Sequence, residues 1–156
     1  MFRLSKLTDY GTVILSYMAT APERTCSAAD AAEAVGISAA TASKVLKLLA
    51  RHALLQSTRG SRGGYLLARS PENISVAEVV EAMEGPIGIT ECSAASGLCV
   101  REGGCRVRDN WQQLNQVIRQ TLGGVSLADM VRSDMEPVVK RIRPRWLGAA
   151  AAGPPR

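Results

Sequence analysis

Residues 27–52 read SAADAAEAVGISAATASKVLKLLARH, a run with two helix starts and one glycine turn. Ser27 and Asp30 have the spacing of a capping box, in which a hydroxyl and an acid three residues on satisfy the first free amides of a helix. That helix is short, Ala28 to Val35, and Gly36 closes it. After the turn Val35-Gly36-Ile37, Ser38 caps a second helix that runs to His52. Val45, Leu48 and Leu49 are its expected inward residues, with Thr41, Ser43, Lys44 and Lys47 outward. Two short helices joined by a tight glycine-containing turn make a helix-turn-helix.

Directly after this pair, Leu54–Thr58 reads as a strand and Gly64–Ala68 as its hairpin partner. The loop between them, from Arg59 to Gly64, supplies flexible backbone and two arginines, Arg59 and Arg62. Its glycines do not make a phosphate cradle, since no Gly-Lys-Ser/Thr follows and no helix starts there. Upstream, Leu7, Tyr10, Ile14 and Tyr17 or Met18 recur every three to four residues, so Leu4–Ala21 is a helix with one apolar face, ended by Pro22. Downstream, Ser75 and Glu78 form a second capping box that opens a helix ending at Gly85-Pro86. Residues 86–105 are rich in Gly and Cys and have no periodicity, so they read as irregular. Trp111, Leu114, Val117, Ile118 and Leu122 then mark a long amphipathic helix, and a third box, Ser126 with Asp129, opens a short last one.

The expected fold is mainly α with a small β-hairpin wing: a winged helix-turn-helix plus a long dimerisation helix. The expected division is 1–85 for the winged helix-turn-helix, 86–105 for the cysteine loop, 106–135 for the dimerisation helices and 136–156 for a basic tail. That tail, rich in Ala, Gly and Pro from Leu147 on, reads as disordered.

The chain of 156 residues is 46% apolar, which supports a packed core and excludes wholesale disorder. Lys and Arg number 19 against 14 Asp and Glu, a net +5. The excess is local. No acid lies between Glu33 and Glu72, while Lys44, Lys47, Arg51, Arg59, Arg62 and Arg69 all fall there. A local basic stretch around a helix-turn-helix suits docking on a polyanion. Aromatic residues are only 4%, which argues against a base-stacking platform for single strands. No apolar run reaches the length of a membrane span, and the N-terminus lacks a signal-peptide pattern, so the expectation is a cytoplasmic protein with no membrane partner. No nucleophile–base set is visible, and the single histidine, His52, has no evident acidic partner, so no enzyme is expected.

In a reducing compartment, four cysteines are thiols or metal ligands rather than disulfides. Cys92, Cys99 and Cys105 share one irregular segment with spacing C-x6-C-x5-C, while Cys26 precedes a helix cap and reads as a packed or free thiol. Structural zinc favours C-x2–4-C pairs, which are absent. Iron-sulfur clusters take thiolates at wider spacing, but three are one short of a full set. Three reduced, incidental cysteines remain the alternative.

The opening Leu4-Ser5-Lys6-Leu7-Thr8-Asp9-Tyr10, the wing Arg59-Gly60-Ser61-Arg62-Gly63-Gly64-Tyr65-Leu66-Leu67, the helix starting Ser75-Val76-Ala77-Glu78-Val79-Val80 and the three-cysteine loop together resemble the IscR/NsrR/RirA-like family. These are bacterial winged-helix regulators that bind an iron-sulfur cluster, and the likeness covers roughly residues 1–135. The opening looks most like regulators of the SUF cluster-assembly system. The resemblance implies that Cys92, Cys99 and Cys105 ligate a 2Fe–2S or 4Fe–4S cluster. Some members use a histidine three residues after the last cysteine as fourth ligand; here Arg108 stands there and cannot ligate. Others take a carboxylate from the first helix of the partner subunit, a position matched by Asp9, with Glu91 and Glu102 as further candidates.

The likeness also implies a homodimer, and the apolar stripe from Trp111 to Leu122 agrees with one. A twofold dimer reads a pseudo-palindromic operator in double-stranded DNA, one recognition helix per half-site. Ser38, Thr41 and Ser43 suit base edges, while Ala39, Ala40 and Ala42 allow close approach. Lys44, Lys47 and Arg59 suit phosphates, and Arg62 at the wing tip suits the minor groove. The implied function is a repressor of cluster-assembly genes that responds to cluster or iron status. A regulator answering to nitric oxide or redox state, and a small electron-transfer protein, are the alternatives.

Overall fold

The structure is a computed structural model that describes residues 3–60 and 63–132. Helix α1 (Lys6–Ala19) starts two residues later than its apolar pattern suggests, because Ser5 adopts extended backbone and its hydroxyl accepts from the Thr8 amide at 3.3 Å. Its buried stripe is Thr8, Gly11, Ile14, Leu15 and Met18. Leu7, Tyr10 and Tyr17 flank that stripe, half-buried.

Helices α2 (Ala28–Val35) and α3 (Ala39–Arg51) form the helix-turn-helix with the expected caps. Ser27 and Asp30 bond in both directions, at 2.9 and 3.1 Å. Gly36 takes φ +70°, the left-handed turn that lets the Ile37 amide reach back to Ala32 O at 3.0 Å. The buried stripe of α3 is Ala42, Val45, Leu46 and Leu49, so two sequence expectations change. Leu46 is fully buried and Leu48 only half-buried, because the spacing i, i+3, i+4, i+7 from Ala42 selects the former. Ala42, expected outward against a groove, belongs to the core.

The wing pairs β1 (Leu55–Thr58) with β2 (Gly64–Leu67) antiparallel, Leu55 opposite Leu67 and Thr58 opposite Gly64. Its tip residue Arg62 lies outside the described residues. On the other edge of β2, Tyr65 and Cys26 exchange two backbone hydrogen bonds of 2.9 Å. This bridge fastens the wing to the start of α2. It also requires Gly64, since a Cβ there would stand 2.7 Å from Cys26 O.

A 3-10 turn (Pro71–Asn73) leads into α4 (Val76–Glu84), capped by the Ser75–Glu78 box. The segment expected to be irregular contains α5 (Glu91–Ala94) and a 3-10 turn at Glu102–Gly104. Four residues are too few to show a helical period, although Thr90 with Ser93 makes a cap box. Then come α6 (Arg108–Gly123) and α7 (Leu127–Val131), the latter opened by Ser126 and Asp129. Leu127 N–H donates to Ile74 O at 2.7 Å and Val76 N–H to Val125 O at 2.9 Å, which draws α7 back beside the start of α4. Leu127 thereby enters the same core as Ile14, Val45, Leu46 and Val79. No helix among the described residues is long and apolar enough to cross a membrane. The basic tail, 136–156, lies outside the described residues.

One polar clamp ties the two ends of this core together. Glu84, the last residue of α4, accepts the Ser5 N–H at 2.8 Å and the hydroxyl of fully buried Thr8. An anion at the N-terminus of α1 is favoured by the helix dipole as well. Hydrogen bonds from Thr8 and then Ser5 hold the Glu84 carboxyl below its ordinary value of 4.5. Because the folded value is lowered, the stabilisation is complete above the unfolded-chain value and is lost as pH falls through the folded one. Glu84→Gln should therefore lower the melting temperature at pH 7, and the gap to the parent should close towards pH 3. A gap of equal size at both pH values would show that the carboxylate charge is not what the clamp uses.

Candidate nucleic-acid interface and cysteine loop

The core burial of α3 leaves Lys44 and Lys47 exposed on its outer face, with Thr41 and Ser43 half-buried beside them. Ser38 is exposed but already engaged: its hydroxyl accepts from the Thr41 N–H at 3.2 Å and lies 2.8 Å from the Thr41 hydroxyl. These two side chains form a cap first, so any base contact they make competes with that bond. Arg59 is exposed at the entry to the wing. Between α3 and the wing runs a groove lined by Lys44, Lys47, Ala50, Arg51, Ser57 and Tyr65. Three cations and two hydroxyls, with no acid in its lining, suit a sugar-phosphate strand. Arg51 and Tyr65 were not among the residues expected to touch DNA. The signal for Arg51 was present, since Lys44, Lys47 and Arg51 follow helical spacing; Tyr65 is placed by the wing register alone.

The cysteine segment runs from α5 to the start of α6. Cys92 is buried in α5, with Thr90 Oγ1 at 3.4 Å from its sulfur. Cys99 and Cys105 are half-buried, and all three are free thiols. Asp9 is exposed on α1, and Glu91 is exposed at the start of α5. Among the described residues, no three Cys, His, Asp or Glu side chains stand close enough together to hold a metal ion. The loop thus carries its three thiols along one segment without gathering them around a point.

The fourth cysteine has a different setting. Burial, with a smaller contribution from Asp30, pushes the Cys26 thiol above its ordinary range, and its backbone belongs to the wing bridge. It is a packed thiol.

What fixes the loop on the body is a residue that hydropathy overlooked. Asn115 sits in the apolar stripe of α6, one turn after Trp111 and one before Ile118, and is buried. Its Nδ2 donates to Ile87 O at 3.0 Å and Ser93 O at 3.1 Å, while its Oδ1 accepts from the Ile89 N–H at 3.3 Å. An amide is the side chain that can satisfy two carbonyls and one N–H together. The only cue in the sequence is a polar residue where the stripe asks for an apolar one.

Residues 4–133 match the profile of the Rrf2 family, described as iron-dependent transcriptional regulators. The chain belongs to the Rrf2 family. It is 36% identical over 130 residues to the helix-turn-helix regulator ORF2 of Azotobacter vinelandii, covering 83% of this chain and 79% of that one. It is 34% identical over 105 residues to the regulator IscR of Xenorhabdus nematophila, covering 67% of this chain and 63% of that one. The solved structure of T. potens IscR matches with a TM-score of 0.61 at 27% identity, over 83% of this chain and 86% of that one. This Rrf2 chain is accordingly an IscR-like winged-helix transcriptional regulator that acts on DNA, not an enzyme.

Among the described residues of this Rrf2 chain, the outer face of α6 is exposed. Trp111 is 39% exposed and Leu114 is 53% exposed, whereas Val117, Ile118 and Leu122 are half-buried, and α6 packs on α4. Replacing Asn115 by Ala removes three hydrogen bonds and leaves their partners to find others, at about 1–3 kcal/mol for each group that stays buried and unpaired. Asn115→Ala should speed amide exchange at residues 87–94 while exchange in α3 stays unchanged. Equal acceleration in both regions would mean that Asn115 supports the whole core rather than the loop.

Proposed function

We propose that this chain is a homodimeric repressor that controls cluster-assembly genes of the SUF type, sensing their product through an iron-sulfur cluster on Cys92, Cys99 and Cys105. The observation that carries the reading is three free thiols within one short segment, the second and third of them on loops closed by polar bonds rather than apolar packing. Soft thiolates are the donors such clusters take, and two of these three are half-exposed, so the donor set fits the group. The family description, iron-dependent transcriptional regulator, points the same way. With Arg108 unable to ligate, Asp9 of the second subunit is the proposed fourth ligand; it is exposed on α1 and free of any core role. Bound there, a cluster supplies cross-links between segments that are otherwise joined by hydrogen bonds.

The face of α6 that carries Trp111 and Leu114, exposed among the described residues, is the proposed contact between subunits. A twofold dimer would present its two α3 helices to successive half-sites. Lys44, Lys47 and Arg59, with Arg51 and Tyr65 of the groove, would hold the backbone, and Thr41 and Ser43 would face base edges, beside Ser38 at the cap. Arg62, outside the described residues, is proposed for the minor groove from its position in the sequence between the two wing strands. Cluster occupancy would change DNA affinity only as far as it favours one relative placement of the two winged domains.

Two measurements test this reading. Protein purified and reconstituted without oxygen should absorb in the visible with matching iron and sulfide, and Cys99→Ala should lose both while keeping the parent's circular dichroism. A colourless parent would remove the cluster; an unfolded variant would make the metal structural. For DNA, six to ten neutralised phosphates per dimer would lower affinity about 10³–10⁵-fold between 50 and 200 mM salt. Anisotropy titrations of Lys47→Ala should show weaker binding to all sequences and a shallower salt slope, by about one for each phosphate no longer neutralised.

A further inference from the structure

Glu102 stands between the second and third thiols, three residues from each. Its Oε2 accepts the Gly97 N–H at 2.6 Å. Its Oε1 accepts from the Ser96 hydroxyl at 3.1 Å and from Arg108 Nη2 at 2.7 Å. One carboxylate therefore closes two small loops: 97–102, which encloses Cys99, and 102–108, which encloses Cys105. The backbone follows the same division, since Glu102 N–H donates to Cys99 O at 3.1 Å and Arg108 N–H to Cys105 O at 3.3 Å. Apolar packing contributes little here, because Leu98, Val100 and Val107 are all exposed. The Arg108 Nε is buried without a hydrogen-bond partner among the described residues, so drawing that guanidinium in leaves one donor unmet. The closed form is held by charge-assisted bonds against that penalty.

We propose that Glu102 is the positioning residue of the cysteine loop, setting the path of the segments that carry Cys99 and Cys105, and is not itself a ligand. Arg108, at the position where the resemblance placed a ligating histidine in other regulators, completes the fastening with an ion pair. The proposal rests on reading this loop as the sensing site, and its test does not need a cluster. Cys92 lies outside both loops and answers to Asn115 through the Ser93 carbonyl.

The experiment is alkylation of the reduced, metal-free full chain with iodoacetamide, read cysteine by cysteine by mass spectrometry. Glu102→Ala should raise the rates at Cys99 and Cys105 about tenfold, as expected for the loss of charge-assisted bonds that limit local opening, with Cys26 and Cys92 unchanged. Arg108→Ala should raise Cys105 alone, because the Gly97 and Ser96 bonds to Glu102 stay in place. Glu102→Gln, which keeps an acceptor oxygen, should fall between the parent and the Ala variant. Parent-like rates in Glu102→Ala overturn the proposal, and so does a rise at all four thiols, which is general loosening. Equal rises at Cys99 and Cys105 in Arg108→Ala overturn it too, and that variant decides the matter if Glu102→Ala fails to fold. Failure of the parent to take up iron and sulfide would sink the cluster reading and leave this pattern of thiol rates standing.

Discussion

Burial of one stripe of α3, formed by Ala42, Val45, Leu46 and Leu49, sets which of its side chains face the outside. Fully burying an aliphatic side chain is worth about 1.5–3 kcal/mol, so three of them outweigh any preference of the polar residues on the opposite face. Lys44 and Lys47 point outward because the core claims their neighbours. The wing then follows, since Leu54 and Leu55 enter the same core directly after α3 and the Tyr65–Cys26 bridge holds β2 from the other side. The basic groove between α3 and the wing is thus a consequence of packing. Ala53 shows the tightness of that connection: it takes φ +56° between the helix end and β1, a conformation that side-chain-bearing residues adopt at a cost.

Where local chemistry decides structure, the sequence could be read closely. The boxes at Ser27, Ser75 and Ser126, the cap at Ser38 and the turn at Gly36 depend on residues within four positions of each other, and all appear in the structure. The wing strands were legible for the same reason. The inward face of α3 was less so, because Leu46, Leu48 and Leu49 are equally apolar and only the neighbours of the helix choose among them. Ala42 is ambiguous in sequence because a methyl group is compatible with either face.

The residues that make long-range polar contacts were the least legible. In the fold core Glu84 meets Ser5 from 79 residues away, and at the cysteine loop Asn115 meets Ile87 from 28. Such contacts leave no periodic trace. The cysteines themselves were visible through their clustering and through the family likeness, yet their spacing did not reveal that Glu102 and Arg108 shape the path between them. In the sequence Arg108 registers only as a side chain that cannot ligate. Its structural role depends on the carboxylate opposite it, which only the folded loop brings within reach.

These two kinds of construction suit two kinds of task. The DNA-facing half rests on an apolar core, which has few alternative packings and fixes the helix that carries its lysines. The loop rests on one carboxylate, one buried amide and a few backbone bonds, each of which water can replace when a segment opens. On the proposed reading, a segment that binds and releases a cluster gains from not being locked into the core, because opening it would then cost a large share of the fold's stability. Asn115 draws the line between the two regimes. Residues up to 94 are pinned to α6 by an amide inside its apolar stripe, whereas 96–108 are held by charge at its N-terminal end. The second and third thiols thus sit on loops closed by polar bonds, the first lies beside the amide anchor, and α6 packs on α4, which packs on α3.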